Sequence, residues 1–459
     1  MPGAQFTQPD HIRQIFCSKL SEMYHSEVPL YGALVSLVDD TNAHIVATQP
    51  QYRSEAGRLR VERHGAIRVG KPEELHTLRR LFRTMNMLPV NYYDLSIAGV
   101  PVHATAFRPV TQHSLDFNPF RVFTSLLRPE LIEDVEIREL ARSLLDKREI
   151  FHPETLRLLD KAESQGGLDD SDAHCLVDHA LLTFKWQSDA LVEYDVYNRL
   201  ATAHSLVADI AAFKGPHINH LTPRTLDIDT VQARMPEKGI VSKHVIEGPP
   251  HRNCSILLRQ TSFQAVAEPI YFLDRNESGG KKFGRHKARF GEIESRGVAL
   301  TRKGLTLYHE LMDEADKELA ALKSPIDNAT RQRCLEKVFA AFPDNWETLR
   351  HDGLAYFRPY RGSQSSTISG SSQTSFEGDD GNAYEPVTYE DFLPASAAGI
   401  FQSNLGQQQL TVLRAGPDQD TFEKALGSKV LDSHILYQAE ADGSVEGSSW
   451  QGSPAGLKE

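Results

Sequence analysis

Two histidines in this chain each stand four residues before an arginine: His64-Gly-Ala-Ile-Arg68 in RHGAIRVG, and His220-Leu-Thr-Pro-Arg224 in HINHLTPRT. A third segment, FGEIESRG, carries Glu292 and Glu294. Two imidazoles and one carboxylate on a common face bind a divalent transition metal and leave coordination positions open, the ligand set of non-haem iron(II) chemistry with substrate and oxygen. The chain has 19 histidines, so most must be ordinary hydrogen-bonded residues. The candidates are those on strands that point where a carboxylate also points.

His64 meets that condition, and Gly65 beside it permits a close approach of a neighbouring backbone or a bulge. His217 and His220 compete for the second position. Pro216, Ile218, Thr222 and Pro223 disfavour a helix, and in extended chain an odd separation sends two side chains to opposite faces. Matching the His-to-Arg spacing of the first motif favours His220. Along 290–296, Phe290, Glu292, Glu294 and Arg296 share one face, so parity does not choose between the two glutamates. Arg68 lies on the face of His64, roughly 13 Å further along the strand. A guanidinium folded back from there would grip one carboxylate of a short dicarboxylate bidentately while the metal held the other end.

These residues fall in two stretches of similar texture. In the first, 59–70 reads as a strand kinked at Gly65, Pro72 to Met85 as a helix with Leu75, Leu78, Leu81 and Phe82 on one face, and YYDLSIAG and PVHATAFRPV as two strands. In the second, HINHL is extended, Thr225 to Met235 is a short helix, GIVSKHVIEG and CSILLRQTSF alternate as strands, and KARFGEIESRG closes the set. The order strand, helix, strand, strand thus occurs twice, each time opening near a candidate histidine. Two such units facing each other would enclose a cavity.

The remaining organisation is read as an N-terminal helical segment over 1–56, a first unit over 57–119, a helical insertion over 120–213 and a second unit over 214–300. Helices follow over 301–360, a flexible Ser/Gly-rich loop over 361–383, a segment closing the site over 384–440 and a tail over 441–459.

Length and composition bound the function. The chain has 459 residues, 40% of them hydrophobic and 24% charged, enough to bury a large core without disulfides. A formal net charge of −12 argues against broad binding to nucleic acid or to an anionic membrane. The four cysteines, Cys17, Cys175, Cys254 and Cys334, form no CxxC pair, which predicts a reducing, cytoplasmic setting. There is neither a secretory pattern at the N-terminus nor an apolar run long enough to span a bilayer. SGGKKFGRHK is glycine-rich and basic but lacks the phosphate-loop pattern, so a hairpin is expected. His103, on PVHATAFRPV, is read as a satisfied strand histidine, and Ser396 lacks the G-x-S-x-G context of a hydrolase nucleophile.

Taken together, RHGAIRVG, HINHLTPRTLDID, RFGEIESRG and YEDFLPASAAGIFQSNL resemble the 2-oxoadipate dioxygenase/decarboxylase family, over most of the chain from about residue 8 to 435. The resemblance implies an α+β fold: a vicinal-oxygen-chelate-like β-sheet core of two strand–helix–strand units around a metal cavity, with a large helical insertion. It also implies an Fe(2+) ion held by His64, His220 and Glu292. Glu292 is preferred to Glu294 because the wider superfamily's ligand sits in an aromatic-x-Glu-x-x-x-Arg pattern, which Phe290 to Arg296 reproduces. Arg68 maps to the family's substrate-binding arginine, and Ala395 and Ser396 map to a substrate contact, although Ala395 departs from the larger aliphatic residue of the family. The Ser/Gly-rich loop is a second departure.

The implied reaction converts 2-oxoadipate and O2 to 2-hydroxyglutarate and CO2, an exit from lysine breakdown. The partners are thus a 2-oxo dicarboxylic acid and O2. The same ligand set also suits a glyoxalase-type lyase or isomerase using zinc, nickel or manganese, and a 2-oxo acid binding protein without turnover. Oxygen dependence separates the first from the others.

Overall fold

The structure is a computed structural model; it describes residues 6–243, 245–263, 267–274, 280–322, 327–360, 375–378, 381–393 and 417–443. Two long helices lead, α1 (Pro9–Glu27) and α2 (Pro29–Thr48), each with a proline in its first turn, where the missing N–H costs nothing. The stretch 59–70 is divided rather than one strand. Ala56–Val61 is helical, and the strand β1 runs over Arg63–Val69. After the helix Pro72–Arg83 come β2 (Leu88–Asp94) and β3 (Val102–Arg108).

The segment 120–213 does not begin as a helix. RVFTSLL forms β4 (Arg121–Leu127), which pairs in parallel with β1 and antiparallel with β3. Its β-branched and aromatic residues suit a strand buried on both faces, and such a strand lacks the alternation that would reveal it. Five helices follow between Val135 and Ala211, interrupted by the short strand β5 (Asp189–Glu193).

The second stretch opens on β6 (Leu221–Pro223), antiparallel to β1, giving a five-stranded sheet ordered β2-β3-β4-β1-β6. Its short helix is Ile228–Arg234, as the pattern indicates. The described residues of GIVSKHVIEG form isolated bridges, at Ser242 and Glu247, rather than a strand. Beyond it lie β7 (Leu258–Ser262), β8 (Ala267–Asp274), β9 (Gly280–Lys287) and β10 (Glu292–Arg296). β8 and β9 join β5 in a separate three-stranded sheet, and the basic glycine-rich segment, expected as a hairpin loop, runs from Gly280 as the strand β9 itself. β10 pairs with β7, and a parallel bridge between Arg224 and Glu294 sets β10 beside the chain leaving β6. The helices Arg302–Ala320 and Asn328–Val338 then pack in a third core with Ile256, Leu258 and Val298.

Alternation along β1 sorts its side chains. Gly65, Ile67 and Val69 face the side where Ile67 and Val69 pack in a core shared with α1 and the helix Pro72–Arg83. His64, Ala66 and Arg68 face the other way, where Ala66, Ala104 and Ala106 pack with the helices of 135–211. The two polar side chains of this face, His64 and Arg68, are buried beside these small residues.

Candidate metal centre

His64, His220 and Glu292 come from three adjacent segments: β1, the residue before β6, and the first residue of β10. The register explains their convergence. His64 lies opposite Thr222, so Thr222 and His220, two residues apart, share its face. Their ligand atoms all lie within 4.8 Å of one another, and all three residues are buried. His64 Nε2 is 3.1 Å from Glu292 Oε2, and His220 Nε2 is 3.7 Å from the same oxygen. Thr222 Oγ1 donates to that oxygen at 3.0 Å, which fixes the carboxylate. Phe392 stands edge-on to His64 and Phe290 lies against His220, forming apolar walls.

Both ring nitrogens of His220 are buried without a hydrogen-bond partner among the described residues. An imidazole in that state forfeits its hydration, a cost of about 1–3 kcal/mol. Two imidazoles and one carboxylate oxygen whose ligand atoms converge fit a divalent metal, which would satisfy the orphaned nitrogen. Burial, joined by the charge of His64 and of Arg68 and opposed by Glu292, pushes the His220 imidazole down to about 3, so it is neutral and able to coordinate. Burial also opposes the charged form of His64, but Glu294 and Glu292 outweigh it and hold that imidazole above its usual value. Glu292 is desolvated too, yet His64 and His220 keep it below the usual carboxylate range.

The two glutamates that parity leaves together take different parts. Glu294 approaches His64 from the opposite side of the ring, with Oε2 3.0 Å from Nδ1 in a close but bent contact. It is gripped by Arg296, which donates from Nε at 2.9 Å and from Nη2 at 2.8 Å, and by Arg121 at 3.5 Å. A carboxylate behind a metal-binding imidazole sets its tautomer and orientation. The Glu294–Arg296 side-chain pair is completely buried.

Behind it runs a charged network that sequence reasoning missed. Arg121 donates to Glu62 at 2.5 Å and to Glu390 at 2.6 Å. Arg58 spans the same two carboxylates, and Arg224 pairs with Glu62 and Glu55. Arg224 therefore braces the site from behind and does not mirror Arg68.

Arg68 is buried on the wall of the site, and its Nη1 donates to Asp209 Oδ2 at 2.6 Å. His217 turns away from the metal ligands, as its odd separation from His220 requires, with Nε2 3.8 Å from Asp209 Oδ1. His103 packs on Tyr92 and Phe422, away from the centre. Asp209 carried no signal in the sequence, since it stands in an ordinary apolar helix. Ala395 and Ser396, and residues 361–374 of the Ser/Gly-rich loop, lie outside the described residues.

The buried two-histidine, one-carboxylate cluster lies where the five-stranded sheet meets the β7–β10 pair and could hold a metal ion. A glyoxalase-superfamily protein from Ralstonia eutropha shares the fold at a TM-score of 0.50 and 18% identity, over 65% of this chain and 88% of that one. The sequence model of the 2-oxoadipate dioxygenase/decarboxylase family matches residues 16–404, and the chain belongs to that family of enzymes. Curated relatives of that name are 49% identical in Pseudomonas putida, over 95% of this chain and 96% of the relative, and 50% identical in Escherichia coli, over 94% and 96%. The crystal structure of hydroxyglutarate synthase from Pseudomonas putida in complex with 2-oxoadipate superposes with a TM-score of 0.84 at 48% identity, over 96% of this chain and 97% of that one. No helix among the described residues is long and apolar enough to cross a membrane.

Proposed function

We propose that this protein is an iron(II)-dependent 2-oxoadipate dioxygenase/decarboxylase, forming 2-hydroxyglutarate and CO2 from 2-oxoadipate and O2 as an exit from lysine breakdown. The convergence of His64, His220 and Glu292, with neither His220 nitrogen hydrogen-bonded among the described residues, is the observation that carries this reading. Four free cysteines suit a cytoplasmic enzyme.

His64, His220 and Glu292 would hold the Fe(2+) ion. When bound, the ion supplies redox activation of oxygen and a template for the 2-oxo acid. Glu294 keeps the His64 ring aimed, and Thr222 keeps Glu292 aimed. Arg68 holds the distal carboxylate of the substrate, so that the methylene next to the keto carbon, which becomes the new carboxylate, is the one presented for hydroxylation. Phe392, Phe290 and the alanines of β1 and β3 exclude water from the chemistry. We assign Ala395 and Ser396 to the substrate side, in accord with the motif FLPASAAG.

Oxygen uptake by anaerobically iron-loaded protein given 2-oxoadipate, with mass analysis of the product, tests the proposal. Stoichiometric O2 consumption with CO2 and 2-hydroxyglutarate is expected. Metal-dependent turnover of a 2-oxo acid without O2 would replace the proposal with a lyase or isomerase. Thermal stabilisation by 2-oxoadipate with no turnover would replace it with a binding protein. Arg68→Ala is expected to raise KM for 2-oxoadipate by about 100-fold, as loss of a charge-assisted contact worth ~2–3 kcal/mol implies. An unchanged KM would remove Arg68 from the site.

A further inference from the structure

Asp209 lies on the helix Ser205–Ala211, packed over the sheet face that carries His64 and Arg68. Both Asp209 and Arg68 are buried, and the contact is short: Arg68 Nη1 donates to Asp209 Oδ2 at 2.6 Å. Asp209 is itself held from behind. His286 Nε2 is 2.9 Å from its other oxygen, and the OH of Tyr197 sits 2.8 Å from His286 Nδ1. Trp186 stacks on His286, and Phe213 packs against it. Asn219, in the amide orientation that suits its neighbours, accepts from Arg68 Nη1 at 3.1 Å and donates to the carbonyl of Ala66. The same nitrogen of Arg68 is thus fixed by two acceptors, one on a helix and one on the irregular segment that leads to His220.

On charge alone this arrangement is paradoxical. A carboxylate beside an arginine that receives a substrate carboxylate repels that substrate. What it supplies is direction. A guanidinium whose Nη1 is clamped has its plane set and its opposite edge turned away from Asp209, and bidentate grip on a carboxylate depends on that plane. An arginine with several rotatable bonds would otherwise spend much of its time elsewhere. The Asp209 carboxyl stays ionised: burial raises its pKa, but Arg68 and His286 hold it well below the usual carboxylate range.

We propose that Asp209 is the positioning residue for Arg68, and that the chain Tyr197–His286–Asp209 sets the enzyme's preference for a 2-oxo acid bearing a second carboxylate at the far end. The proposal rests on the assignment of Arg68 to the distal carboxylate.

The test compares 2-oxoadipate with 2-oxohexanoate, which carries a methyl group in place of the distal carboxylate, in the iron-loaded full-length enzyme. The wild type is expected to favour 2-oxoadipate in kcat/KM by at least about 100-fold. In Asp209→Ala, KM for 2-oxoadipate should rise at least tenfold, while KM for 2-oxohexanoate stays within about twofold and kcat for both within about threefold. Asp209→Asn keeps an acceptor for Nη1 without the charge, and should retain the wild-type preference within about threefold. His286→Asn, which loosens Asp209 from behind, should show a smaller loss of preference and serves if Asp209→Ala does not fold.

Retention of the wild-type preference in both Asp209→Ala and His286→Asn overturns the proposal. So does a parallel loss on both substrates, which marks a purely structural role. Equal damage from Asp209→Asn and Asp209→Ala also overturns it, because charge rather than direction would then be what Asp209 supplies. A wild type that turns over both acids equally well would instead refute the assignment of Arg68.

Discussion

Glu294→Gln and Glu292→Gln lie two residues apart on one face of β10, yet they are expected to fail in opposite ways. Glu294 is fully buried, receives two hydrogen bonds from Arg296 and a longer one from Arg121, and lies 3.0 Å from His64 Nδ1. Removing its charge leaves Arg296 with the carbonyls of Tyr389 and Asp391 as acceptors and with Glu62 at 3.8 Å. Breaking a buried pair by deleting one partner costs about 3–5 kcal/mol. The surviving acceptors place Glu294→Gln near the lower end, about 3 kcal/mol.

Its effect on the metal is indirect. Losing the partner of a ligating imidazole lowers affinity by about 10–100-fold, or ~1.4–2.7 kcal/mol. Glu292, by contrast, has no arginine or lysine within 4.0 Å among the described residues; its ionic contacts are His64 and His220. Glu292→Gln should therefore remove a ligand and lower affinity by more than Glu294→Gln does, while changing the metal-free melting temperature little. Anaerobic Fe(II) titration, the absorption of a Co(II)-substituted centre and metal-free melting curves read both effects. Equal loss of metal in the two variants would make Glu294 a ligand and refute the division of labour. Wild-type metal affinity in Glu294→Gln would refute its hold on His64.

Two further perturbations probe the packing around the centre. A Cβ at Gly65 would lie 2.9 Å from the carbonyl oxygen of His220 and 2.6 Å from Cδ1 of Ile218. The isoleucine can turn aside but the backbone cannot, so Gly65→Ala should displace His220 and weaken Fe(II) binding at least tenfold with the circular dichroism spectrum unchanged. Wild-type affinity would mean that β6 yields without moving the ligand. His103 is distant from the metal ligands, and burial, assisted by Arg128, pushes its imidazole down to about 4. A histidine depressed in the folded state contributes fully above its unfolded value near 6.5 and loses that contribution as pH falls towards 4, at most about 3 kcal/mol. His103→Gln should therefore flatten the fall in melting temperature between pH 6.5 and 4; an unchanged slope would show that His103 is not among the groups responsible.

Much of the centre was legible in the chain because strands encode faces by parity. His64 and Arg68, His220 and Thr222, and Glu292 and Glu294 each share a face by counting in twos, and the prolines around His217 and His220 marked extended chain. The resemblance to a known family then chose Glu292 over Glu294, a choice that parity left open. The long helices, Arg302–Ala320 among them, followed from periodicity for the same local reason.

What stayed hidden was set by distance along the chain. β4 lies between β1 and β3 and is buried on both faces, so its residues carry no alternation of their own. GIVSKHVIEG alternates as a strand should, but its described residues are left with isolated bridges in place of a ladder. Glu62, Arg121, Glu390, Arg58 and Asp209 are ordinary charged residues to any local reading. They become the brace behind His64 and Arg68 only when the tertiary fold removes water from around them, because a buried charge must find a partner and an exposed one need not. Residue type and spacing alone determined which side chains could bind a metal and which way they faced. The fold decided which carboxylate stands with His64 and His220, which one steadies an imidazole from behind, and which arginine is held by Asp209, since those roles depend on separations of a few ångströms between segments far apart in the chain.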